Sequence, residues 1–267
     1  MPKLYALLNL LSTLLVIGWN GYANSGNFNG RSVGELSAEY GNLFTPATYA
    51  FGIWGLIFVA LLALSGFGIK RAFFGGDTTW ISQLGPWLFT ANVLTSLWVY
   101  FWLSESIAAS VIVMVGILLS LIAAVVALDM ERWDAPIEII AFVWWPICAF
   151  SGWITVATIA NVSAWLPVSD FTPTAIMSET AWTIAMIAVA VLVNLFMIAS
   201  RNMREFALVG VWALVAIAVR HWGSLPGIAW SALLGALILF AAAAVHGYRN
   251  RATAPHLKWQ QRRAGLT

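Results

Sequence analysis

The sequence predicts an all-α polytopic membrane protein with about eight transmembrane helices, and three observations predict it. Hydrophobic residues make up 61% of the chain and charged residues only 9%, against roughly 25% charged in soluble domains. Unbroken apolar runs such as Ile107 to Leu128 match the roughly 20 residues a helix needs to cross a bilayer. Backbone groups in lipid must pair internally, which leaves helices or closed barrels. A barrel would show alternating segments of about 10 residues, and these are absent here.

The expected spans lie at about residues 4–23, 47–69, 81–103, 107–128, 137–166, 179–199, 205–221 and 225–247. The first follows Lys3 and has the look of a signal peptide. It lacks a small-residue cleavage site, however, and Trp19 and Tyr22 suit interface anchors. The fifth is long enough to tilt or to end in an interfacial turn. The seventh is the shortest. The lone Cys148 excludes an intramolecular disulfide and makes no metal site. A net charge of +2 is too small to suggest nucleic acid.

Basic residues set the expected orientation. With eight spans, Lys3, Lys70, Arg71, Arg132, Arg201, Arg204, Arg249, Arg251, Lys258, Arg262 and Arg263 share one side, and only Arg31 and Arg220 remain on the other. The positive-inside rule then places both termini in the cytoplasm of a cell (inner) membrane. The tail from Tyr248 to Thr267 reads as a solvated topogenic segment, or one that touches anionic headgroups. Ser25 to Pro46 is a polar loop on the opposite side, long enough for a lid or binding element. Pro167 to Ser178, which carries Asp170, lies on that same side.

No Lys, Arg, Asp or Glu falls near the centre of a span. A charge there costs about 2.5–3.5 kcal/mol on insertion scales and usually marks an ion path, so an ion-coupled pump is disfavoured. Without a lysine in a span there is no retinal Schiff base. His246 is the histidine read as lying in a span, as an interfacial residue or a ligand to one pigment metal, and it has no partner for a bis-histidine haem.

Tryptophan fills the interior instead. Of sixteen, Trp54, Trp98, Trp144, Trp145, Trp153, Trp182 and Trp212 lie deep, while Trp19, Trp80, Trp222 and Trp259 fit interface belts. A buried indole offers an apolar face and one N–H donor. Several around a cavity suit a planar or polycyclic ligand; packing between helices is the plainer alternative. Asn92 and Ser96 share a helix face, as do Trp153, Ala157 and Asn161. A mid-membrane Asn needs a partner, either a helix or a ligand. Gly227, Ser231 and Gly235 form a small-residue row that suits close helix packing.

These residues carry a family resemblance. Asn42-Leu-Phe-Thr-Pro-Ala-Thr-Tyr-Ala-Phe-Gly-Ile-Trp54 resembles the start of the second helix in the TspO/translocator family of tryptophan-rich sensory proteins. Asn92 followed by Trp98, Tyr100, Phe101 and Trp102 resembles its Asn-x-x-Trp helix, with different spacing. Trp145-Pro146, then Gly152-Trp153 and Asn161, resemble its Pro-Tyr-x-x-Trp helix, with Ile147 in place of the Tyr. The resemblance covers roughly residues 1–166. It implies a five-helix TspO-like bundle (1–166), followed by an additional three-helix transmembrane region (167–247) and a basic tail (248–267). It also implies a pocket beneath the first loop, lined by Trp54, Asn92, Trp98, Trp153, Ala157 and Asn161 and closed by Phe44 and Pro46. Family pockets take porphyrins, sterols or synthetic aromatic ligands, and family members often form homodimers.

Three functions follow. The leading one is binding of a hydrophobic polycycle (tetrapyrrole, sterol or carotenoid-like, none of them obligatory) in a sensory, regulatory or transport role. With no buried Arg or Lys, porphyrin propionates would have to reach the loop side near Arg31, which favours a neutral ligand. The second is a structural or pigment-binding subunit of a larger membrane complex. The third, a tryptophan-assisted porphyrin-degrading enzyme, lacks any Cys-His, Ser-His or paired-carboxylate arrangement in a span.

Overall fold

The computed structural model describes residues 1–40, 42–169, 177–251 and 257–260. Asp170, Arg262 and Arg263, used above for loop character and charge, lie outside the described residues. The described residues are helical, with no strand among them: α1 (Pro2–Tyr22), α2 (Val33–Glu39), α3 (Ile53–Phe74), α4 (Thr79–Leu103), α5 (Ile107–Ala127), α6 (Ile137–Ile139), α7 (Trp145–Trp165), α8 (Glu179–Arg201), α9 (Arg204–His221) and α10 (Pro226–Arg249). The eight long helices fall where the eight spans are predicted. α6 runs through a π turn, Ile140–Trp144, into α7, which accounts for the extra length of the fifth span.

Six helical stretches are long and apolar enough to cross a membrane by length and composition. α4 and α9 are not among them. α4 is broken at Gly85, whose φ of 42° and ψ of −125° suit a residue without Cβ, and Pro86 follows with no N–H to give. α9 carries Arg204, Glu205 and Arg220 within its 18 residues. Both pack between other helices, α4 between α1 and α5, and α9 against α7, α8 and α10. A helix so enclosed needs less of an apolar outer face.

The contacts close a ring of five helices. α1 packs on α3, α3 on α7, α7 on α5, α5 on α4 and α4 back on α1. α8, α9 and α10 pack on one another, and α9 lies along α7. α7 therefore belongs to both groups. In its stretch of the chain 67% of the most apolar window is buried, against 33–39% in the other five. Those others turn a leucine-rich face outward: Leu4, Leu7, Leu11, Leu14 and Leu15 of α1 are all exposed, as a lipid-facing surface requires.

Glycines set the closest approaches. A Cβ on Gly152 of α7 would lie 2.9 Å from the Phe206 carbonyl oxygen of α9. One on Gly210 would lie 2.7 Å from Asn194 Oδ1 of α8, and one on Gly235 would lie 2.9 Å from Val191 Cγ2. Only Gly235 of the predicted small-residue row makes such a seam. Gly227 has nothing within 4 Å, because it sits in the first turn of α10. Trp80 also departs from expectation. It is 4% exposed and stacks on Phe67 with centroids 5.4 Å apart, so it is a core residue and no interface anchor.

Overpacking a tight contact costs typically about 1–3 kcal/mol, whereas Gly to Ala in an open helical position gains up to about 1 kcal/mol. Gly152→Ala is therefore expected to lower the melting temperature in detergent and Gly227→Ala to leave it unchanged or raise it.

Candidate functional site

The end of the ring opposite α6 is roofed by the segment between α1 and α3. Ser32 starts α2 with a capping box: its hydroxyl accepts from Glu35 N–H at 3.2 Å, and its own N–H donates to Glu35 Oε2 at 2.7 Å. The Ser32 N–H and the Ser32 hydroxyl, which also donates to Glu35 Oε2 at 2.8 Å, hold the Glu35 carboxyl below its ordinary pKa. Beyond α2, Asn42 ties the chain to α7, donating from Nδ2 to the Ala160 carbonyl at 2.8 Å while its Oδ1 accepts from Phe44 N–H at 2.9 Å.

Beneath this roof lies a cavity of about 40 Å³. Trp98 and Trp102 come from α4, Trp153, Val156, Ala157, Ala160 and Asn161 from α7, and Ser37, Thr45, Pro46 and Phe51 from the roof. Trp98 and Trp102 stack at 5.9 Å with planes 18° apart, as the four-residue spacing on one helix face allows. Phe51 meets Trp153 edge-on at 5.8 Å. The polar corner is built across three helices: Trp98 Nε1 donates to Asn161 Oδ1 at 2.9 Å, and Asn161 Nδ2 donates to Ser110 Oγ of α5 at 2.9 Å. The Trp102 indole nitrogen is buried and has no hydrogen-bond partner.

α9 holds the roof down. Arg220 Nη1 donates to the carbonyls of Asn42 at 3.1 Å and Thr45 at 2.8 Å. His221 Nε2 lies 2.8 Å from the Leu43 carbonyl. Trp212 Nε1 donates to the Ala50 carbonyl at 3.1 Å, and Ala47 N–H donates to the Ala216 carbonyl at 3.2 Å. The residues just before α3 are thus tied to the three-helix region at five points.

Of the residues expected in the pocket, Pro46, Trp98, Trp153, Ala157 and Asn161 come together there. Phe44 is 1% exposed and part of the core beside the mouth. Trp54 stacks on Phe58 at 5.3 Å and meets Phe150 edge-on. Asn92 faces α1, donating to Ser12 Oγ at 3.1 Å and Thr13 Oγ1 at 3.0 Å, and Thr13 in turn is 3.1 Å from Ser65 of α3. Its partner is a helix. Ser37, Thr45, Phe51, Trp102, Val156 and Ala160 were missed. Trp102 could have been found one turn beyond Trp98, and Val156 and Ala160 beside Ala157 and Asn161; Ser37 lies in the short α2 and Thr45 in irregular chain, where no long periodic signal marks them. Trp145 and Trp212 are 39% and 40% exposed. His246 pairs with Asn250, at 3.1 Å.

Arg31, expected near the mouth, is already engaged by the carboxylates of Glu39 and Glu105. Hydrogen bonds to those two groups hold its pKa above the ordinary value.

A roof over an aromatic cavity in a ring of five helices is the arrangement the resemblance implies. A family model described as TSPO-like protein matches residues 6–245. The chain belongs to the TSPO-like protein family. Comparisons with curated proteins and with solved structures find no match. The match to the TSPO-like family runs on into α10, beyond the five helices on which the resemblance rests.

Removing Arg220 leaves two roof carbonyls without their charged donor, and such hydrogen bonds contribute roughly 1.5–3 kcal/mol. In Arg220→Ala, amide hydrogen exchange at Thr45, Ala47 and Ala50 is expected to rise at least about tenfold, since tenfold corresponds to about 1.4 kcal/mol, while α5 amides keep their protection.

Proposed function

We propose that this TSPO-like protein binds a neutral, hydrophobic polycyclic molecule in the tryptophan-lined cavity under the α2 roof, in a sensory, regulatory or transport role. The observation that carries the reading is the donor left over in an aromatic site: Trp102 lines the cavity and its buried N–H has no partner. A ligand hydroxyl or carbonyl oxygen would meet it, while Trp98, Trp153 and Phe51 supply apolar faces. A neutral sterol-like or quinone-like molecule suits this lining. A porphyrin suits it less, because its propionates would compete with Glu39 and Glu105 for Arg31, and Arg220 is spent on the roof carbonyls.

The cavity volume of about 40 Å³ is far below the roughly 300–1,000 Å³ of drug-sized sites. Ligand entry therefore requires the roof to rise. The bonds from α9 make the roof the regulated part: releasing them opens the mouth. In this reading residues 1–166 bind and residues 167–247 control access. The positive-inside rule places both termini in the cytoplasm of a cell membrane, with the roof on the outer side.

Energy transfer from tryptophan to the fluorescent sterol dehydroergosterol, with protoporphyrin as competitor, tests the reading. Saturable transfer is expected, at least about tenfold weaker in Trp153→Ala and little displaced by protoporphyrin. Equal, weak transfer in wild type and Trp153→Ala would remove the pocket from the account.

A further inference from the structure

At the opposite end of the molecule lies a second and larger cavity, of about 310 Å³. It sits where the α5–α6 loop of the five-helix ring meets the α8–α9 turn and the start of α9. Its character is polar and charged, with Glu131, Asn202, Arg204 and Glu205 among its lining. Its floor includes Trp144, which is 2% exposed and has no partner for Nε1. Glu205 Oε2 and Arg204 Nε are likewise buried and unpartnered. A buried donor or acceptor left without a partner costs roughly 1–3 kcal/mol. Three of them around one cavity therefore point to something that normally meets them.

The charges say what. The outer pair, Asp134 and Lys258, bond to each other, and Arg132 pairs with Asp129 at 3.5 Å, which leaves Glu131, Glu205 and Arg204 among the charged lining residues. Glu131 accepts one hydrogen bond, from Asn202 Nδ2 at 3.1 Å. Two carboxylates call for a cation with N–H donors. The Trp144 N–H and the Arg204 N–H call for an anionic or strongly accepting oxygen beside it.

We propose that this cavity is a second ligand site, one that takes a small zwitterion with a primary ammonium against Glu131 and Glu205 and an anionic oxygen on Trp144 and Arg204. That chemistry is shared by the headgroup of an ethanolamine phospholipid and by free phosphoethanolamine or amino acids. The volume is at the lower end for small-molecule sites and too small for a lipid tail, which would have to trail outward between helices. A choline headgroup does not fit, since a trimethylammonium has no N–H to donate to a carboxylate. The site does not depend on the aromatic pocket at the other end.

Glu131 adds a pH dependence. Burial and the neighbouring charge of Glu205 push its carboxyl up to about 7, opposed by Arg204, the Asn202 hydrogen bond and Lys258. Below about pH 7 Glu131 is neutral and attracts an ammonium weakly; above it the carboxylate forms and the attraction grows.

The full-length protein in phosphatidylcholine nanodiscs, titrated calorimetrically with phosphoethanolamine and with glycine, tests the free-zwitterion source. Native mass spectrometry after exchange into mixed phosphatidylethanolamine and phosphatidylcholine tests the lipid source. Expected is binding in at least one arm, roughly tenfold tighter at pH 8 than at pH 6, and weakened at least about tenfold in both Glu131→Gln and Trp144→Phe. Glu131→Gln keeps the shape while removing a charge, Trp144→Phe removes the N–H and one ring of the indole, and if one does not fold the other decides. Retained ethanolamine lipid with no binding of the soluble compounds identifies the headgroup as the source; the reverse identifies a free metabolite. Absence of binding in both arms, or binding untouched by both variants, overturns the proposal.

Discussion

The approach of α9 to α7 is the contact on which the two halves of the molecule depend. Gly152 presents bare backbone to the Phe206 carbonyl, so the two helices meet more closely than any side chain at that position would allow. Lipid tails are as apolar as leucine, and no hydrophobic force drives helices together in a bilayer. Close fit and polar pairing must do it. The same seam brings Trp212, Ala216, Arg220 and His221 along the far end of α9 to the roof of the aromatic cavity, and Arg204 and Glu205 at its near end to the charged cavity. One helix thus ties down the roof of one site and lines the other.

Interior polar residues serve the frame. Asn92 joins α4 to α1, Thr13 joins α1 to α3, and Trp98, Asn161 and Ser110 join α4, α7 and α5. Three of the five ring contacts therefore carry a side-chain hydrogen bond away from water, where an unmade one is costly, and the Trp98–Asn161 bond adds a tie from α4 across to α7. The ring is held firmly, and compliance is left to its roof. There the tethers are mostly side chain to backbone and reach across from another helix, so they can be released without disturbing the ring.

Much of this was legible in the sequence, for identifiable reasons. Span positions follow from apolar length, and the structure places helices on all eight. The five pocket residues that came together lie on regular helix faces or at the Pro46 turn, where spacing translates directly into position. Asn92 lies outside the pocket lining because periodicity gives a face but not which neighbour it meets; α1 supplied hydroxyls that accept from its Nδ2. Trp54, expected in the pocket, and Trp80, expected in an interface belt, each found a phenylalanine to stack on instead. The role of α9 could not be read. Its Arg220 and His221 look like ordinary ends of a short span until the roof carbonyls are placed beside them. The charged cavity was hidden for the same reason, since Glu131 and Trp144 are distant in sequence from Glu205 and belong to the other half.

The claim that joins fold to function is that ligand reaches the aromatic cavity only when the roof leaves α9. Ala47 and Ala216 meet through a backbone hydrogen bond of 3.2 Å, and the native Cys148 is buried and distant from the mouth in sequence. A disulfide between Ala47→Cys and Ala216→Cys would lock roof to helix. The direct measurement is the rate of dehydroergosterol uptake by the locked protein before and after reduction. The account predicts uptake slowed at least about tenfold when locked, the equivalent of about 1.4 kcal/mol in the barrier, and restored by reductant. Equal rates in the two states would show that the ligand enters elsewhere and would contradict it.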